Sequence, residues 1–152
     1  MLIPGGRPPS GLSWTRPKPR PMAYRSDVLE DEGLIHTVMS GEVTPAEARS
    51  LLAMREATDR ATGVCRHLID MRAVTSAPLP TNELEDLARC SALLFGARAR
   101  LTVFRTAIVA HDAAFAALRG YEFLAACEGL MVRTFRAPVE ARAWLGRAAA
   151  TA

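Results

Sequence analysis

Thr44-Pro45-Ala46-Glu47-Ala48-Arg49-Ser50-Leu51-Leu52 is the stretch on which the fold turns. Thr44 can cap a helix, and Pro45 suits the first helical position because its missing N–H would have no partner there. Glu47 can reach back to the cap residue and complete a capping box. Ala48, Leu51 and Leu52 then fall on one face, and Gly63 lies beyond the end. Upstream, Tyr24–Leu29 and Leu34–Ser40 read as strands joined by the acidic turn Glu30–Gly33, a hairpin with a four- or five-residue loop. Downstream, His67-Leu68-Ile69-Asp70-Met71 is a short apolar run, the pattern of a buried strand.

The alternation continues to the end of the chain. Pro78 and Pro80 break the backbone, and Thr81 opens a second helix with Leu84, Leu87, Ala88, Ser91, Leu94 and Phe95 at helical spacing, Gly96 being the expected stop. The second half of Leu101–Ala110 reads as a buried strand. Asp112 is the expected cap of a third helix carrying Phe115, Leu118, Tyr121 and Leu124, ended by Gly129. Leu130–Phe135 is a last strand, and Pro138 starts a short helix through Trp144 and Leu145 to Gly146. The order ββαβαβαβα implies one α/β domain: a mostly parallel sheet of about five strands, an antiparallel N-terminal hairpin and about four helices.

Composition narrows the function classes. The chain has 152 residues, 49% hydrophobic and 23% charged, the profile of one soluble domain and short for a two-domain enzyme. Its net charge of +3 belongs to residues 1–21, which carry Arg7, Arg16, Lys18 and Arg20 and no acid. Residues 22–152 hold all 16 acids and are close to neutral, so the argument from a basic chain to nucleic acid fails for the folded part. Six of the 10 prolines also fall in residues 1–21, and this composition predicts an unstructured tail. Met22 stands directly before the first strand pattern, and the preferred reading is that translation begins there. The rival is a basic, proline-rich tether for an acidic partner or a lipid surface. The tail lacks the apolar run of a secretory signal. No run of eighteen apolar residues predicts a transmembrane segment.

The series Leu68-Ile69-Asp70-Met71-Arg72-Ala73-Val74, Arg105-Thr106-Ala107-Ile108-Val109-Ala110, and Phe115, Arg119, Tyr121, Glu122, Phe135, Glu140, Ala141, Trp144, Leu145 adds to this reading. In that order, over about residues 23–146, it resembles the SpoIIAA-like family of STAS domains, the anti-sigma-factor antagonists. The resemblance implies a cytoplasmic, non-enzymatic regulatory module with a protein partner. It also implies a phosphorylation switch, in which a serine within an Asp-Ser pair at the start of the second helix takes phosphate. The matching stretch here has no such pair. The candidate acceptors are Thr81, at the helix start, with Thr75 and Ser76 before it; the plainer reading of Thr81 is a helix cap, and Glu83, Glu85 and Asp86 would repel a phosphate.

Other branches of the family are suspected of holding an apolar ligand, which makes a small carrier or sensor of an apolar or anionic ligand the alternative. Ala113, Ala114, Ala116, Ala117, Ala125 and Ala126 of the third helix either pack closely on the sheet or leave room for such a guest. An interaction module should expose an apolar patch over Pro78–Leu84 and have a filled core. A carrier should show a cavity between the third helix and the sheet.

Ligands of open parallel sheets bind beyond the carboxyl ends of the strands. Asp70, Arg72, His111, Asp112 and Arg136 fall there, and Arg119 on the third helix could face a partner. His111 beside Asp112 could act as a base and Arg72 or Arg136 could hold an anion, but a cap, a loop histidine and a loop anchor account for them without catalysis. No nucleophile elbow, phosphate loop or dinucleotide fingerprint is present. His36, His67 and the three cysteines Cys65, Cys90 and Cys127 have no metal-ligand spacing, so neither a cofactor nor a metal is expected. Edge strand Tyr24–Leu29 needs protection, and self-pairing into a homodimer is one solution.

Overall fold

Apolar strands alternating with capped helices leave the chain one economical arrangement, seen in a computed structural model that describes Lys18 and residues 20–101 and 104–147. The strands are β1 (Ala23–Leu29), β2 (Leu34–Glu42), β3 (Arg66–Ser76), β4 (Arg105–Val109) and β5 (Met131–Phe135). The helices are α1 (Pro45–Thr62), α2 (Thr81–Leu101), α3 (Asp112–Cys127) and α4 (Pro138–Gly146), with a short 3-10 turn at Glu30–Glu32. The five strands lie in the order β1-β2-β3-β4-β5; β1 runs antiparallel to β2 and every other pair is parallel. This is the single α/β domain with an N-terminal hairpin that the sequence predicts.

Three successive crossovers each step one strand in the same direction, so crossovers of one hand put α1, α2 and α3 on one face. Successive residues of a strand point to opposite faces. Ile69 and Ile108 accordingly join Leu84, Leu87, Phe95 and Leu118 in the core beneath the three helices. Their neighbours Leu68, Ala107 and Val109 pack with Leu34, Ala141 and Leu145 under α4 on the other side. Arg105 fastens α4 there, its Nη1 donating to the carbonyls of Trp144 at 3.0 Å and Arg147 at 2.6 Å.

The capping box forms as read. Thr44 Oγ1 accepts from the Glu47 amide at 3.4 Å, and Glu47 Oε2 accepts from the Thr44 amide at 2.9 Å. These bonds hold the Glu47 carboxyl below its ordinary range, Thr44 being the main cause. Gly63, at φ 70°, closes the helix.

Among the boundaries that differ from expectation, four have a visible cause. β3 runs on through Thr75 and Ser76 because β2 stays paired with it across two register shifts and Val74 is buried. α2 continues past Gly96 to Leu101, since a glycine costs a helix only about 1 kcal/mol and Phe95 and Ala99 keep the packed face going. The first helical bond of α2 is accepted by Pro80, at 3.0 Å from the Leu84 amide, so Thr81 is the first helical residue and not the cap. His111, not Asp112, occupies the cap position of α3, without a side-chain bond.

The chain before β1 remains attached as far back as Arg20, whose carbonyl accepts from the Glu42 amide at 3.1 Å. The Met22 amide donates to Glu47 Oε1 at 3.4 Å. The tail reading for residues 1–17 and 19 lies outside the described residues. Gly41 is what lets this segment pass: it sits at φ 86°, and a Cβ there would come 2.5 Å from the Pro21 carbonyl oxygen. Gly63 has the same left-handed backbone but open space around it. Gly63→Ala should therefore lose about 1 kcal/mol, the left-handed cost alone. Gly41→Ala should lose roughly 3 kcal/mol, because overpacking adds to strain. Equal losses in urea denaturation would show that the Arg20–Pro21 crossing does not matter.

Candidate functional site

The inward stripe of α1 begins apolar and ends charged. Leu51 is followed at helical spacing by Arg55 and Asp59, which share its face and are 4% and 0% exposed. Burying two ionic groups is costly unless other groups meet them. Asp59 Oδ1 lies 2.8 Å from Nε2 of His67 on β3, and its Oδ2 lies 3.8 Å from Nη1 of Arg98 on α2. The His67 contact is at hydrogen-bond distance. Arg55 donates from Nη2 to Thr106 Oγ1 on β4 at 2.9 Å and stands 5.1 Å above the Phe95 ring. Its Nε has no acceptor. Burial pushes the Arg55 guanidinium below its ordinary range, with Tyr121 and Asp59 opposing.

Beside Arg55 the core is not filled. A half-open pocket of about 70 Å³ lies between α1, α2 and the sheet, with Val43, Ala48, Leu52, Met71 and Leu79 among its walls; Arg55 borders it, but the lining is almost wholly apolar. Tyr121 also borders it, its hydroxyl 2.6 Å from Ser91 Oγ, and burial raises the Tyr121 pKa. α3 contributes only Leu118 and Tyr121 to the wall. The alanine-rich helix instead packs closely, with Ala114 and Ala125 buried, so the space falls under α1 and α2 and not under α3 as anticipated.

The residues singled out in the sequence form three separate pairs. Asp70 takes the Arg72 guanidinium as a fork, at 2.9 Å from Nε and 2.6 Å from Nη2, and accepts the Arg72 amide at 3.1 Å. Arg72 thereby holds the Asp70 carboxyl below its usual range. Asp112 and Arg136 meet at 2.8 Å, Arg136 lying 4.1 Å over the Phe115 ring, with His111 exposed alongside. Arg119 pairs with Glu122 at 2.9 Å, and Glu122 also accepts the Thr134 amide at 2.8 Å, tying α3 to β5. Thr81 and Thr75 are exposed and Ser76 half-buried, on α2 and β3. Among the described residues no three His, Cys, Asp or Glu side chains gather to hold a metal, and no helix is long and apolar enough to cross a membrane.

Sequence reading passed over Arg55 and Asp59, and weighed His67 only as a metal ligand. The signal was present, since Arg55 and Asp59 continue the Leu51 stripe at intervals of four; a charged residue on a buried stripe marks a place where ordinary packing has been set aside.

His67 carries the acid sensitivity of this cluster. Burial, with Arg55 adding to it, pushes its pKa from 6.5 down to about 4, against the opposing pull of Asp59. The folded protein thus refuses a proton that the unfolded chain accepts. Stability is complete above about pH 6.5 and falls as pH drops towards 4, by up to about 3 kcal/mol. Urea denaturation between pH 7.5 and 4.5 should show a steeper acid loss in the wild type than in His67→Gln, and parallel curves would remove His67 as the cause.

No family model matches the chain, and no curated protein matches its sequence. Among solved structures it is similar to an uncharacterized protein of the DUF3478 family with a SpoIIAA-like fold from Shewanella loihica PV-4. The two share 16% identity at a TM-score of 0.46, over 82% of this chain and 93% of the other. At that level of likeness the fold class rests on this chain's own strand order, its antiparallel hairpin and its three parallel crossovers.

Proposed function

We propose that this is a non-enzymatic binding domain that takes a small, largely apolar guest into the cavity between α1, α2 and the sheet, as a sensor or carrier. The observation behind this reading is a half-open space of about 70 Å³ reaching into the core, its lining almost wholly apolar. Protein interiors usually fill to crystal-like density, with few voids larger than a water. An engineered apolar cavity of about 150 Å³ admits benzene. This one is about half that size, so the buried part of a guest is a few heavy atoms and not a lipid chain, which needs several hundred Å³.

The rival, a regulatory protein-interaction module, calls for an apolar patch over Pro78–Leu84. Leu84 is buried and Leu79 turns half-buried to the cavity. The large exposed apolar residues stand outside Pro78–Leu84, Leu93 further along α2, Phe123 on α3 and Val139 on α4 among them. The non-enzymatic part of the reading is supported by the polar side chains singled out in the sequence, Asp70 with Arg72, Asp112 with Arg136 and Arg119 with Glu122, which engage one another.

Xenon, which engineered apolar cavities bind, tests whether the space accepts a guest. Methyl resonances of Leu52, Met71 and Leu79 should shift under xenon pressure, and Ala48→Leu, which fills the space from α1, should abolish the response. Saturating xenon with no shift at these methyls would overturn the proposal.

A further inference from the structure

We infer that β1 is a self-association edge, at which two copies of this chain pair their β1 strands antiparallel about Ser26 and join their sheets into one. β1 pairs with β2 alone, through seven consecutive residues without a register shift, and stands at the end of the strand order. Native edge strands are usually blunted by proline, lysine, a bulge or a covering element. Ala23–Leu29 has no proline, lysine or bulge, and among the described residues no side chain bonds to its backbone. The far edge is handled differently. There Glu122 Oε2 accepts from the Thr134 amide at 2.8 Å, so a side chain already occupies a backbone donor of β5.

A two-fold interface uses one patch twice, so the patch must complement itself. Ala23-Tyr24-Arg25-Ser26-Asp27-Val28-Leu29 does so about its centre. With Ser26 opposite its own copy in an antiparallel pair, Arg25 of each chain stands against Asp27 of the other, and Tyr24 against Val28. Opposite charges and apolar pairs directly across a ladder are favourable, and like charges are not. Side chains alternate between faces, which keeps the two kinds of pair apart. Arg25 and Asp27 share the α4 face with Leu29 and Leu34. Tyr24 and Val28 lie on the other face, opposite Met39 and Ile35, and are left 46% and 38% exposed. Within one chain Arg25 donates to Asp27 Oδ2 alone, at 2.7 and 2.9 Å, and among the described residues Oδ1 has no bond. The flanks extend the match. Exposed Lys18 and Arg20 precede the strand and exposed Glu30 and Asp31 follow it, so each basic lead-in approaches an acidic turn. Two copies of β5 would instead set Arg133 against itself at the middle of the ladder.

Sedimentation equilibrium of the full chain, carried to roughly 1 mM where weak pairing still registers, should show a species of twice the 16.4 kDa chain mass. Arg25→Asp and Asp27→Arg should each weaken self-association about tenfold or more, because the two-fold repeats every like-charge contact. The Arg25–Asp27 pair is solvent-exposed, so both variants should keep urea midpoints near the wild type. Mixing the two variants is the decisive step. One presents two acids where the other presents two arginines, and a heterodimer should form about as readily as the wild-type dimer. In the unaltered protein, exchange of the Ala23–Leu29 amides should slow as concentration rises, and that of Met131–Phe135 should not. A chain that stays monomeric, a dimer indifferent to both reversals, or variants that do not recover on mixing would each overturn the inference.

Discussion

The helical side of the sheet is arranged around one stripe of α1 that begins apolar at Ala48, Leu51 and Leu52 and ends charged at Arg55 and Asp59. The apolar end holds α1 over β2 and β3. The charged end must be answered from inside the protein, and the answers come from three other elements: His67 on β3, Arg98 on α2 and Thr106 on β4. Phe95 and Phe104, stacked at 5.0 Å between ring centroids, complete the surroundings of Arg55 and His67.

Much of the fold was legible from residue order, and the particulars show why. The Thr44–Glu47 capping box is local, so its reading survives folding, as does the left-handed glycine at Gly63. The α2 terminus was misjudged because Gly96 is a weak breaker and the packing of Phe95 and Ala99 overrides it. The extent of β3 was misjudged because Thr75 and Ser76 are held in the strand by pairing with β2, a partner more than thirty residues away. The caps of α2 and α3 fell one residue earlier than expected, within the uncertainty natural to helix ends.

The candidate site was the less legible part. Polar residues expected beyond the strand ends attract attention in any parallel sheet, but Asp70 and Arg72 lie inside β3, because pairing with β2 carries that strand on to Ser76, and they pair with each other; Asp112 pairs with Arg136. Arg55, Asp59 and His67 are separated from one another along the chain by turns of helix and a loop, and no spacing rule joins a helix position to a strand position. What could have been seen is that α1 has no apolar residue where its buried stripe needs one, at 55 and 59. What could not be seen is the space beside them, since a void is a property of packing and leaves no residue behind.

The strand order has a consequence for how the molecule comes together. Each strand lies next to the one that precedes it in the chain, so no strand has to be inserted between two already paired. The loop to be closed at each step is one hairpin or one helix long, which keeps the entropic cost of each closure small and its rate high. A chain emerging from the ribosome can therefore add β2, β3, β4 and β5 in turn to a growing edge, each new strand paired as soon as its helix has turned back. Only α4 waits for the whole sheet, because its seat is shared by residues of β2, β3 and β4.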